Sequence, residues 1–118
     1  AEIVFVDYGE GKPRIVDFKA KWEMDSFEYT NTIREFPGEK LSKQLETKLK
    51  EAALACWHLF GLKGYARVDA RTDSNDNVFV IEINANPCIS PDGGFVAATR
   101  QAGYPFKEVI LRIINDLN

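Results

Sequence analysis

Two stretches of period-two polarity, Ala66-Arg67-Val68-Asp69-Ala70 and Val80-Ile81-Glu82-Ile83-Asn84-Ala85-Asn86-Pro87, constrain the fold of this chain more than any other feature. Alternate residues of a strand point the same way, so Arg67 and Asp69 share one face and Glu82 and Asn84 another, while Val68, Ile81 and Ile83 are expected to turn to the core. Thr72-Asp73-Ser74-Asn75-Asp76-Asn77, which lies between them, has the composition of a hairpin turn. In the symmetric antiparallel register Asp69 faces Glu82 and Arg67 faces Asn84, and two carboxylates leave one sheet face with Cβ atoms about 4.5 to 5.5 Å apart.

Like charges at that spacing repel unless a cation lies between them. Two carboxylates and an amide oxygen are hard ligands of the kind Mg²⁺ or Mn²⁺ takes, with phosphate oxygens and water completing an octahedron. A guanidinium on the same face would stabilise negative charge developing during a reaction. The same pattern also suits a solvated polar face with no ligand at all. What favours a site is the run Asn84-Ala85-Asn86-Pro87-Cys88, where a strand enters a tight turn just beyond two of the candidate ligands.

The chain has 118 residues, 45% of them apolar and 12% aromatic, enough for the core of one domain. Its net charge of −3 and scattered lysines give no general attraction to nucleic acid or to an anionic membrane. No apolar run approaches the about 20 residues of a membrane span, and Ala1-Glu2-Ile3-Val4 lacks signal-peptide character, so a soluble cytoplasmic protein is expected. Cys56 and Cys88 form no recognisable disulfide or zinc spacing. His58, the sole histidine, sits in a helical segment with no acid to orient it, which argues against a thiol hydrolase.

Along the chain, Glu2–Tyr8 reads as a strand, Gly9–Pro13 as a turn and Arg14–Phe18 as its hairpin partner. Lys19–Pro37 loses periodicity and reads as a long loop. Glu39–Phe60 is the clearest helix, with Leu41, Leu45, Leu49, Ala52, Ala53 and Cys56 in a stripe that should lie across one sheet face. Shorter helices are expected over Phe95–Ala102 and Pro105–Leu117.

Gly64-Tyr65-Ala66-Arg67-Val68-Asp69, then Val80 to Pro87, then Ala98-Thr99-Arg100-Gln101-Ala102-Gly103-Tyr104 together resemble the carboxy-terminal part of the D-alanine-D-alanine ligase group of ATP-grasp enzymes. The likeness covers nearly the whole chain and is weakest between Glu23 and Pro37. It implies an α+β fold, an antiparallel sheet with helices packed on one face, and makes residues 1–118 an ATP-grasp carboxy-terminal subdomain. It assigns Asp69, Glu82 and Asn84 to Mg²⁺ (or Mn²⁺) on ATP phosphates. It gives Arg67 the stabilisation of the transferring phosphoryl and the tetrahedral intermediate, and the backbone N–H of Cys88 a part in an oxyanion site. Ala20-Lys21-Trp22 is similar to the family's Ala-Lys-Tyr, whose lysine reaches phosphate, and Glu2 falls where the family has a ribose-binding acid.

The activity implied is a carboxylate-amine ligase that phosphorylates a carboxylate with ATP and then couples it to an amino acid or another amine. Two positions depart from the pattern: Cys88 replaces the usual glycine, and Gly93 stands where a serine grips the acceptor carboxylate, which disfavours D-alanine as acceptor. Family members also carry an amino-terminal domain and a central subdomain ahead of this region. The chain is therefore expected to be part of a longer enzyme and inactive alone. A non-catalytic metal- or nucleotide-binding module, a true D-alanine-D-alanine ligase fragment, and a structural α+β domain with a wet sheet face are the other readings.

Overall fold

A computed structural model describes residues 1–117, Glu39 through its backbone only. The chain divides into two compact units, Ala1–Gly38 and Glu39–Asn118.

In the first unit, β1 (Glu2–Phe5) pairs antiparallel with β2 (Thr32–Glu35), Glu2 opposite Glu35 and Phe5 opposite Thr32. This corrects the expected hairpin: Arg14–Phe18 is not a strand, and the segment read as a long loop supplies the partner. The cause is local. The Asp17 carboxylate accepts the Ala20 N–H at 2.9 Å and starts a short helix, α1 (Phe18–Trp22), which draws Phe18 out of any ladder. Ser26 caps α2 (Phe27–Asn31) in the same way, accepting the Tyr29 N–H at 3.0 Å. The unit closes around Tyr8, which is buried, with its hydroxyl 3.1 Å from Thr32 Oγ1 and its ring against Phe5 and Phe27. Lys12 covers the Tyr8 and Phe27 rings and pairs with Glu28 at 2.6 Å.

In the second unit, α3 (Lys43–Leu59) begins where Ser42 accepts the Leu45 N–H, later than the Glu39 start read from the pattern. Leu45, Leu49, Ala52, Ala53 and Cys56 turn inward, as the stripe required. This helix packs on the hairpin of β3 (Arg67–Thr72) and β4 (Val78–Asn84), giving a two-stranded ribbon the apolar backing it needs. Asp73 organises the turn by accepting the Asn75 and Asn77 N–H groups and the Asn77 side-chain amide, and Lys48 of α3 donates to the Asp76 carbonyl at 2.8 Å. Beyond β4 the chain makes α4 (Gly94–Gln101) and α5 (Phe106–Leu117), whose Val96 and Val109 are buried and which pack on each other. The result is a mixed fold of small antiparallel sheets and helices.

No helix is long and apolar enough to cross a membrane among the described residues.

Candidate metal and phosphate site

The β3–β4 ladder sets Arg67 opposite Asn84, Val68 opposite Ile83 and Asp69 opposite Glu82. Both carboxylates therefore leave the same face as directly opposed cross-strand partners, the register that the period-two pattern required. Immediately beyond Asp69 the register slips: Ala70 pairs with Val80, leaving Ile81 as an extra residue in a β-bulge. Ile81 is 64% exposed, which corrects its expected place in the core. The bulge breaks the alternation that would have turned it inward, and with Phe79, also exposed and opposite Arg71, it leaves apolar surface next to the acids.

Arg67 and Asp69, two residues apart on one strand, meet as a fork. Nε donates to Oδ1 at 2.6 Å and Nη2 to Oδ2 at 2.8 Å. The Asp69 hydrogen bond raises the guanidinium pKa above its ordinary value, partial burial works against this, and the charges of Asp69 and Glu82 add to the rise. The repulsion between the two acids is thus relieved in part by a protein cation. Each Asp69 oxygen keeps lone-pair capacity beyond the bond it accepts.

Asn84 ends the strand with its Oδ1 accepting the Asn86 N–H at 2.9 Å, a local turn that holds the amide plane. Pro87 behind it is fully buried. Asn84 and Asp69 are half-buried and Glu82 is exposed, so the donor set opens to solvent. Among the described residues no group of three His, Cys, Asp or Glu side chains is placed to hold a metal. Two carboxylates and an amide fill only part of an octahedron, and all three offer hard oxygen. As hard oxygen donors, that set is chemically compatible with a divalent cation such as Mg²⁺ or Mn²⁺.

Cys88 is exposed in the loop after Pro87, with Sγ 2.9 Å from Ser90 Oγ. The hydroxyl and the backbone of Ser90, in that order, hold its thiol below the ordinary pKa. The loop then closes tightly: the Gly93 N–H donates to the Ser90 carbonyl at 2.8 Å, and a Cβ at Gly93 would stand 2.8 Å from the Cys88 carbonyl oxygen and 3.0 Å from that of Ser90. The position expected to carry a gripping hydroxyl has no room for a side chain in this loop.

Of the predicted residues, Arg67, Asp69, Glu82 and Asn84 come together on the hairpin, and Cys88 follows in the adjoining loop. Glu2 starts β1 and Lys21 lies on α1, both exposed and both in the Ala1–Gly38 unit. Sequence reasoning missed Tyr65, whose hydroxyl donates to Asn86 Oδ1 at 2.7 Å. No short-range pattern marks a contact between a strand's start and a loop so far along the chain.

Small antiparallel sheets backed by helices, with a polar hairpin opening to solvent, are consistent with an ATP-grasp carboxy-terminal subdomain. The family model described as D-ala D-ala ligase C-terminus matches residues 3–115, and the chain belongs to that family. It is 30% identical over 112 residues to a D-alanine--D-alanine ligase of Nitrosomonas europaea, covering 95% of this chain and 34% of the relative. The ligase of Nitrosomonas eutropha is 31% identical with the same coverage, and that of Nitrosococcus oceani is 33% identical over 103 residues, or 86% of this chain and 31% of the relative. The chain spans about a third of the length of these curated relatives.

Proposed function

We propose that residues 1–118 are the carboxy-terminal subdomain of a cytoplasmic ATP-dependent carboxylate-amine ligase whose amino-terminal and central subdomains complete the catalyst. The observation that carries this reading is the register that sets Asp69 against Glu82 with Arg67 on the same face. Membership of a family whose curated relatives are named as ligases supports it.

In the reaction a substrate carboxylate oxygen takes the terminal phosphoryl of ATP and ADP leaves. The amine nitrogen of an amino acid or related amine then attacks the carbonyl carbon, the bond to phosphate breaks, and the new amide loses a proton. Asp69, Glu82 and Asn84 would hold Mg²⁺ or Mn²⁺, which would supply positive charge to neutralise the ATP phosphates. The Arg67 guanidinium, held beside Asp69, would stabilise the transferring phosphoryl and the oxyanion that collapses to product. The Cys88 N–H adds a neutral donor from the turn beyond Pro87. The resemblance gives Glu2 and Lys21, both of the Ala1–Gly38 unit, roles toward ribose and phosphate. The closed loop at Gly93 favours an acceptor other than D-alanine, since no side-chain hydroxyl there grips a carboxylate.

Glu82→Gln in the intact protein tests this reading. It removes the charge of an exposed ligand without touching the core, so ATP-dependent phosphate release with candidate amino acids is expected to vanish while the melting temperature holds. Undiminished phosphate release in that variant would overturn the assignment.

A further inference from the structure

We propose that Tyr65 is a positioning residue for the Asn84 amide: its hydroxyl, acting through Asn86, fixes the turn that aims the Asn84 side-chain oxygen into the metal site. The inference rests on the metal reading above.

Tyr65 is itself firmly placed. Gly64 before it adopts a φ of +73°, its N–H donates to Asp116 of α5 at 2.6 Å, and a Cβ there would meet Ile113 and Leu117 at 3.4 Å. Glycine is the residue that takes this backbone without strain. The Tyr65 ring lies tilted on Phe95 of α4, with centroids 5.3 Å apart. From that fixed base the hydroxyl donates to Asn86 Oδ1 at 2.7 Å, and the Asn86 N–H donates in turn to Asn84 Oδ1 at 2.9 Å. Asn86 therefore accepts on its side chain and donates from its backbone, and the two bonds form a relay from α4 and α5 to the candidate ligand. One lone pair of the Asn84 oxygen is used by this relay, which sets the amide plane and leaves the second free for a cation. Groups that orient a metal ligand from behind in this way affect metal affinity strongly even though they never touch the ion. Buried Pro87, next in the chain, holds the other end of the same turn.

The test is Mn²⁺ binding to the intact protein, followed by the electron paramagnetic resonance signal of the free ion, for the wild type, Tyr65→Phe, Asn86→Ala, the double variant and Glu82→Gln. Tyr65→Phe keeps the ring and its contact with Phe95, so its melting temperature is expected to stay close to that of the wild type. Its Mn²⁺ affinity is expected to fall by up to about tenfold, the lower end of what such supporting groups contribute. Asn86→Ala should weaken binding similarly, and the double variant should be no weaker than the weaker single one, because both changes cut the same relay. A Tyr65→Phe protein that melts lower yet binds Mn²⁺ like the wild type has lost packing only, and the proposal falls. Additive losses in the double variant overturn it as well. Wild-type protein that binds no Mn²⁺, or Glu82→Gln that binds as well as wild type, overturns the metal reading and this inference with it.

Discussion

In the proposed site Arg67 and a metal ion would compete for the Asp69 carboxylate, and that competition is measurable. Both Asp69 oxygens accept from the guanidinium, at 2.6 and 2.8 Å, yet each partner's side chain is 39% exposed. A buried charged fork would be worth several kcal/mol, but an ion pair this exposed is screened, and about 1 kcal/mol is the appropriate figure. A cation that claims Asp69 must offset that amount as the fork loosens. Arg67→Lys keeps the positive charge but replaces the planar fork with a flexible point charge that cannot engage both oxygens at once. Mn²⁺ should therefore bind Arg67→Lys more tightly, by about fivefold for about 1 kcal/mol. Ligation should move the other way, falling by about a hundredfold or more, because the planar donor set aimed at developing charge is gone. The assays are the free-Mn²⁺ titration and ATP-dependent phosphate release on the same preparations. Unchanged or weakened Mn²⁺ affinity in Arg67→Lys would refute the claim that guanidinium and metal share Asp69. Retained turnover would refute the role of Arg67 in the reaction.

Two smaller predictions concern the loop after Pro87. Gly93→Ser should lower stability by about 1 to 3 kcal/mol in chemical denaturation, since its Cβ must displace backbone oxygens rather than a flexible side chain, and it should give no new activity with D-alanine. A fully stable Gly93→Ser protein would mean that the loop opens freely. Ser90→Ala removes the main cause of the lowered Cys88 pKa, so less thiolate exists at a given pH and the alkylation profile with iodoacetamide should shift to higher pH. An unmoved profile would show that the Ser90 hydroxyl does not reach the thiol in solution.

The site hairpin was legible because three signals agreed: alternation in both strands, a polar turn of the right composition, and acids at matching distances from it. The bulge was not, because Val80 and Ile81 are alike in size and polarity and nothing local says which is the extra residue. The partner of β1 was hidden for another reason. Arg14-Ile15-Val16 and Thr32-Ile33-Arg34 have comparable strand character, and the Asp17 cap that starts α1, together with packing around Tyr8, decides between them. Helices of five residues such as α1 and α2 are too short to show a period, but their caps were visible: Asp17 and Ser26 are residue types that start helices, and Ser42 likewise marked the true beginning of α3. Tyr65 stood out only as part of the Gly64–Asp69 segment, because its hydroxyl partner Asn86 lies beyond the whole hairpin.

The misregister after Asp69 puts the tip and the base of the hairpin in different registers. The surplus Ile81 lies between the tip around Asp73 and the opposed acids, so the register of the tip does not set the pairing of Asp69 with Glu82. The distal end of this ribbon is thus the part open to remodelling, to fit a different neighbour or none, while the opposed acids at its base keep their spacing.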